Sequence, residues 1–320
     1  MLALCLVRMV KQKMDMAGDD AVEAILRDGA ARELRALSAV VPVLRHLLGA
    51  EARGLVSDAL LARVRGMIVD LSAQLLAARS GHDPASRSGS EDRAAVDGLA
   101  ATLFADERLL THCHALAAES LIGERLQQRH GIDPVLTGLV QELIASQDSG
   151  VSALAMQTLA AQSRFVQSQR RMELPLGELP AELFHAVLAC AQTATGEGAG
   201  LSRLQSGYDE AMSRLGLLAR LVSAMRRGAV AALALDHAGI ALFASALAAE
   251  TRSARHHAVL ACHEGQALRL ALMLRTAGQA PAMIGRQLEL VDPAASLPEI
   301  LAALSPERAA ALLGADEAGR

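Results

Sequence analysis

The chain has 320 residues, 31 basic and 35 acidic side chains, and a formal net charge of −4. That balance excludes the large basic excess with which a generic nucleic-acid binder neutralises phosphates. Alanine and leucine supply most of the 52% apolar content; tryptophan is absent, and the aromatics are Phe104, Phe165, Phe184, Tyr208 and Phe243. Sheets draw on β-branched and aromatic side chains, whereas alanine and leucine lose little freedom in a helix. The composition therefore predicts an all-α fold.

Cys5, Cys113, Cys190 and Cys262 lie far apart with no C-x-x-C pair, so they read as reduced, small hydrophobes in a reducing compartment. The opening run from Met1 to Val7 is apolar but short, and its positive charges follow it. That is the wrong order for a secretory signal, and a cytoplasmic location is expected. Residues 1–17 are a poorly defined N-terminus, with Met9, Met14 and Met16 as alternative starts.

Residues 18–79 read as a helical hairpin. Val22, Ile25 and Leu26 begin one apolar face, and Leu34, Leu37, Val40, Val41, Leu44, Leu47 and Leu48 continue it, with a kink or break expected at Pro42. Ser57-Asp58 then caps a helix running to Arg79. Residues 80–91, dense in Ser and Gly, predict a flexible linker and the best domain boundary. From 92 to 291 the helices come at short intervals. They are Asp92–Phe104 and Glu107–Gln128, one opened by Asp133-Pro134, and Leu139 to Val166 as the best repeat-like unit with Ala155 at the close contact. The two-proline connector from Met172 to Pro180 leads into a helix with Phe184, and Thr195 to Gly200 is a second break. Helices are then expected over Ser202–Arg226, Ala229–Ala249, Ser253–Cys262, Gln266–Thr276 and Pro281–Leu290. Residues 292–320 hold two short helices and a tail, signalled by Ser296-Leu297-Pro298-Glu299 and Ser305-Pro306-Glu307. Antiparallel hairpins on short loops predict a HEAT-like α-solenoid or an irregular helical array.

The stretch from Val151 to Met156, through Arg170-Arg171-Met172-Glu173-Leu174-Pro175-Leu176 to Glu178-Leu179-Pro180, resembles uncharacterised alphaproteobacterial helical proteins. These are grouped as domain-of-unknown-function family 2336. Glu264, Gln266, Leu268 to Leu272, Leu274-Arg275, Ala277-Gly278, Pro281, Ile284 and Gln287-Leu288 look like that family's C-terminal end. The resemblance covers residues 92–291, rests on no catalytic motif, and implies a helical, HEAT-like fold without an activity.

Three groups of residues carry potential chemistry. His112 and His114 point about 200° apart on a helix and cannot chelate one ion as an i, i+4 pair would. His256, His257, Cys262, His263 and Glu264 form a better metal candidate, although Gly265 interrupts them. Around them Arg252, Arg255, Arg269, Arg275 and Arg286 outweigh Glu250 and Glu264. Arginine's planar fork suits a carboxylate or phosphate, so Arg252, Arg255, His256 and Arg275 are candidate partner-binding residues; the plainer alternative is a solvated polar face with intrachain pairs. Arg164, Arg170 and Arg171 read as a polar helix end that complements the macrodipole. No phosphate-loop, dinucleotide, zinc-protease or nucleophile-elbow motif occurs.

The resulting expectation is a non-enzymatic helical-repeat scaffold or adaptor that needs no cofactor. It would bind a protein partner, with no nucleic acid and no membrane span. A metal-binding or enzymatic protein using the Cys/His-bearing helices is the alternative. A membrane-associated protein using residues 229–249 is a weaker one, because Asp236 near the centre of that stretch costs roughly 2.5–3.5 kcal/mol on insertion.

Overall fold

The computed structural model describes residues 19–49, 57–86, 93–196, 198–295 and 300–317. Every regular element among them is helical, and no strand occurs. In chain order the α-helices are α1 Asp19–Gly49, α2 Asp58–Arg79, α3 Arg93–Leu103, α4 Glu107–His130, α5 Gly138–Ile144 and α6 Ser149–Arg170. They continue as α7 Ala181–Thr195, α8 Ala199–Gly207, α9 Arg214–Met225, α10 Leu235–Thr251, α11 Arg255–Ala261, α12 Ala267–Thr276, α13 Pro281–Val291, α14 Ile300–Ala303 and α15 Pro306–Glu317. The expected N-terminus 1–17, the second half of the 80–91 linker and the 296–299 capping box lie outside the described residues.

Local capping explains several helix starts. Ser57 Oγ accepts from Leu60 N at 3.4 Å, and Asp106 Oδ1 accepts from Arg108 N and Leu109 N at 2.8 and 3.2 Å. Ser305 Oγ accepts from Arg308 N at 3.2 Å ahead of Pro306. Each satisfies amide donors that a first helical turn leaves open. Asp133-Pro134 does not open a helix as expected. Asp133 Oδ1 instead accepts from Val135 N and Leu136 N in a turn, and α5 starts behind Thr137, whose Oγ1 accepts from Val140 N.

Two long helices expected downstream are shorter. The 202–226 stretch breaks at Gly207, where a 3₁₀ turn over Glu210–Met212 leads into α9. The 229–249 stretch begins as a 3₁₀ helix over Arg226–Leu233, and α10 is kinked at Gly239, which has φ 68° and ψ 165°. A Cβ there would also lie 2.6 Å from Thr137 Cγ2, so glycine is required twice over. No helix of the described residues is long and apolar enough to cross a membrane.

The chain divides into two compact units built from interleaved segments. The first comprises residues 1–39, 122–142 and 222–320, and the second comprises 40–121 and 143–221. Helix α1 continues through exposed Pro42 to Gly49 and so carries residues of both units, and residues 80–86 lie inside the second unit.

In the first unit α10 is the centre. It packs against the Arg226–Leu233 turn, α11, α12 and α13, while α12 also packs on α15. Residues 238–248 of α10 are all buried, and their many alanines let neighbouring backbones approach closely. In the second unit α2 is the centre, packed on α3, α7 and α8. Its Val64, Met67, Ile68, Leu71 and Leu75 are fully excluded from solvent, each large side chain contributing about 1.5–3 kcal/mol. Gly200 of α8 sits so close that a Cβ would fall 1.8 Å from Ala78 O. Packing α2 on α7 and α8, far downstream, joins elements that a linear stack of neighbouring repeats keeps apart.

Candidate functional site

The densest constellation of buried polar groups lies in the second unit, around the connector from Arg171 to Pro180. Helix α6 ends with Met172 in the left-handed region at φ 58°, and Glu173 N donates to Ser168 O at 2.9 Å. Met172 seats against Gly66, where a Cβ would lie 2.5 Å from the methionine Cβ. The backbone beyond is irregular, so its polar groups need partners from elsewhere in the fold.

Helix α2 provides them. Leu174 N donates to Asp70 Oδ2 at 2.9 Å. The Gln74 amide, 5% exposed, donates to Leu174 O at 2.9 Å and accepts from Leu176 N at 3.0 Å. This two-point clamp replaces the ladder that a strand would supply. Leu174, Leu176 and Leu179 then bury their side chains in the second unit's core. Further along, Leu179 O accepts from the Tyr208 hydroxyl at 2.7 Å, and Glu178 Oε2 accepts from Arg214 N at 2.6 Å.

The Arg214 side chain is itself a deep anchor. Its Nη1 and Nη2 donate to Glu119 Oε1 and Oε2 at 2.8 and 2.9 Å, and Nη1 also donates to Gln162 Oε1 at 2.9 Å. The guanidinium carbon lies 3.6 Å from the Phe165 ring centroid. Arg214 and Glu119 are 2% and 1% exposed. A buried pair of this kind persists only with bidentate geometry and further hydrogen bonds, both of which are present.

The connector contributes to the walls of two clefts. One, of about 380 Å³, is lined by Leu176 and Gly177 together with Phe184, Arg203, Gly207 and Tyr208. Tyr208 stacks on Phe184 with ring centroids 3.9 Å apart at 11°. Burial, then the charges of Glu210 and Asp209, push its hydroxyl up to about 12. The other cleft, of about 270 Å³, is lined by Glu173 and Pro175 together with Arg164, Phe165, Arg171 and Arg214. Arg171 Nε pairs with Glu173 Oε2 at 2.7 Å.

The sequence-predicted basic corner lies in the first unit, and its members are used differently. Arg252 is exposed and left-handed at φ 53°, ending α10. Arg255 Nε donates to Ser245 Oγ at 2.9 Å and its Nη2 to Ala241 O at 3.1 Å. Arg275 donates to Leu304 O at 2.5 Å and Gln279 O at 3.1 Å. His256 is half-buried with its ring 4.1 Å from that of His257. Arg269 is 2% exposed, and Glu264 pairs with Arg125 and Arg129 at 3.0 and 2.9 Å. The structure thus draws Arg255 and Arg275 onto backbone carbonyls, leaving Arg252 at the surface.

Among the described residues no group of three or more His, Cys, Asp or Glu side chains is placed to hold a metal ion. Burial pushes the Cys113 thiol up to about 12, so it stays protonated. Cys262 is buried, donating to Ala258 O at 3.3 Å.

Sequence reasoning did not find Gln74, Glu119 or Arg214 because their roles depend on partners about 100 residues away. Tyr208 carried a signal in being the sole tyrosine. No known family model, curated protein or solved structure matches the chain.

Proposed function

We propose that the chain is a non-enzymatic helical interaction protein that binds another protein through the connector face of its second unit. One observation carries this reading. An irregular segment is held by the side chains of Asp70 and Gln74 on α2, by the Tyr208 hydroxyl behind α8 and by the backbone amide of Arg214 at the start of α9, while Met172 and Gly177 stay exposed on it. A loop fixed on a rigid scaffold is where binding residues concentrate. Met172 is 41% exposed, and Arg164, eight residues earlier on α6, is exposed with no ion-pair partner among the described residues. Methionine and arginine are both enriched at protein interfaces.

The resemblance to family 2336 rests partly on this same connector and implies a helical, HEAT-like fold without an activity. The basic corner does not enter the proposal, because Arg255 and Arg275 donate to the fold's own carbonyls. The test is affinity capture from a lysate of the source organism with native chain and with a Met172→Glu, Arg164→Glu variant. A protein retained by the native chain and lost by the variant, at unchanged melting temperature, supports the proposal. Identical retention by both sinks it.

A further inference from the structure

We propose that the cleft over Tyr208 is a binding site for a small aromatic acid, a planar ring bearing one carboxylate. Its volume of about 380 Å³ falls within the range of small-molecule sites. Two of the chain's five aromatic residues meet here, and Tyr208 is fixed by its stack on Phe184 and by its hydroxyl bond to Leu179 O. A ring held at both its face and its tip is a preorganised stacking surface, and aromatic pairs favour offset-stacked or edge-to-face contact.

The glycines of the wall sharpen the argument. Gly81 needs its positive φ of 80°, and Gly200 needs its close approach to Ala78. Gly177 and Gly207 need neither: their φ values are ordinary and a Cβ on either would meet no atom within 4 Å. Their missing side chains keep the cleft open without serving the fold. Arg203, exposed on the same wall, has no ion-pair partner among the described residues. Asp83, also in the wall, already accepts from Ala85 N at 2.9 Å. The carboxylate of a bound acid therefore pairs with Arg203 while its ring lies on Tyr208.

The chain has one tyrosine and no tryptophan, so its intrinsic fluorescence reports on this cleft alone. The experiment titrates the full chain with phenylacetate, benzyl alcohol and acetate while following Tyr208 emission and melting temperature. Phenylacetate is expected to give a saturating change and a raised melting temperature at millimolar concentration, with benzyl alcohol and acetate weaker. Arg203→Met should weaken phenylacetate about fivefold. Gly207→Leu and Gly177→Leu, whose Cβ atoms meet nothing within 4 Å and whose side chains would occupy the cleft, should each abolish the response. No saturating change, equal response to all three probes, or an undiminished response in both leucine variants overturns the site. Gly207 lies outside the connector, so with Gly207→Leu the loss of this site and the loss of partner capture are read separately.

Discussion

The two units solve the same packing problem with different side chains. Phe104, Phe165, Phe184 and Tyr208 all belong to the second unit, and Phe243 alone to the first. The first unit surrounds a helix of small residues, Ala238, Ala241, Ala244, Ala246 and Ala248 among them. Its Arg255 and Arg275 turn back onto helix and loop carbonyls. The second unit buries Glu119, Gln162, Gln74 and Arg214 as well as rings. Close helix contact needs only small side chains. Holding irregular backbone in place needs polar groups that reach it, and concave surface forms where rings and such backbone meet.

The comparison is most exposed at Arg214. Arg214→Met leaves Glu119 buried without its cation, and the expected loss is about 3–5 kcal/mol in urea unfolding. Adding Glu119→Gln should restore part of that loss, because the stranded charge is then gone. A loss below that of any first-unit arginine would mean that the second unit does not depend on its polar anchors.

Next in size is the connector clamp. Gln74→Ala removes partners from Leu174 O and Leu176 N together, an expected cost of about 2–3 kcal/mol. Hydrogen exchange should show it locally, with faster exchange at Leu174 and Leu176 and unchanged exchange in α12. Uniform acceleration across both units would contradict a local role.

The smallest effects belong to the first unit's corner. Arg255→Ala should lower stability by about 1.5 kcal/mol, the low end for hydrogen bonds from a charged group, because the side chain is half-buried. Arg252→Gly should raise it slightly, by less than about 1 kcal/mol, because glycine removes the left-handed strain. Thermal unfolding of the two variants gives the signs. A stabilising Arg255→Ala would show that its carbonyl contacts add nothing.

What the sequence made legible follows from range. Alanine and leucine content announced the helices, and Ser57 and Ser305 marked helix starts because a cap acts within three residues. The breaks at Gly207 and Gly239 were hidden, since apolar spacing continues across both while the backbone does not. Neither could interleaved units be read from a serine-rich segment, because domain division depends on which helices meet. The basic corner was visible as charge, but its donors are assigned by carbonyls at Ala241, Gln279 and Leu304. Arg214 looked like any other arginine until Glu119, 95 residues earlier, lay beside it.

The interleaving also orders the chain's assembly during synthesis. Residues 40–221 carry all of the second unit's own segments, so it can close while the last hundred residues are still being added. The first unit cannot: Arg269 N donates to Glu33 across 236 residues, and Arg308 donates to Glu23 across 285. Contacts so distant along the chain slow folding, because a long loop must close before they reward it. The stretch 19–39 therefore leaves the ribosome as an amphipathic helix-former whose covering partners do not yet exist. For that interval it is the part of the nascent chain most in need of a chaperone.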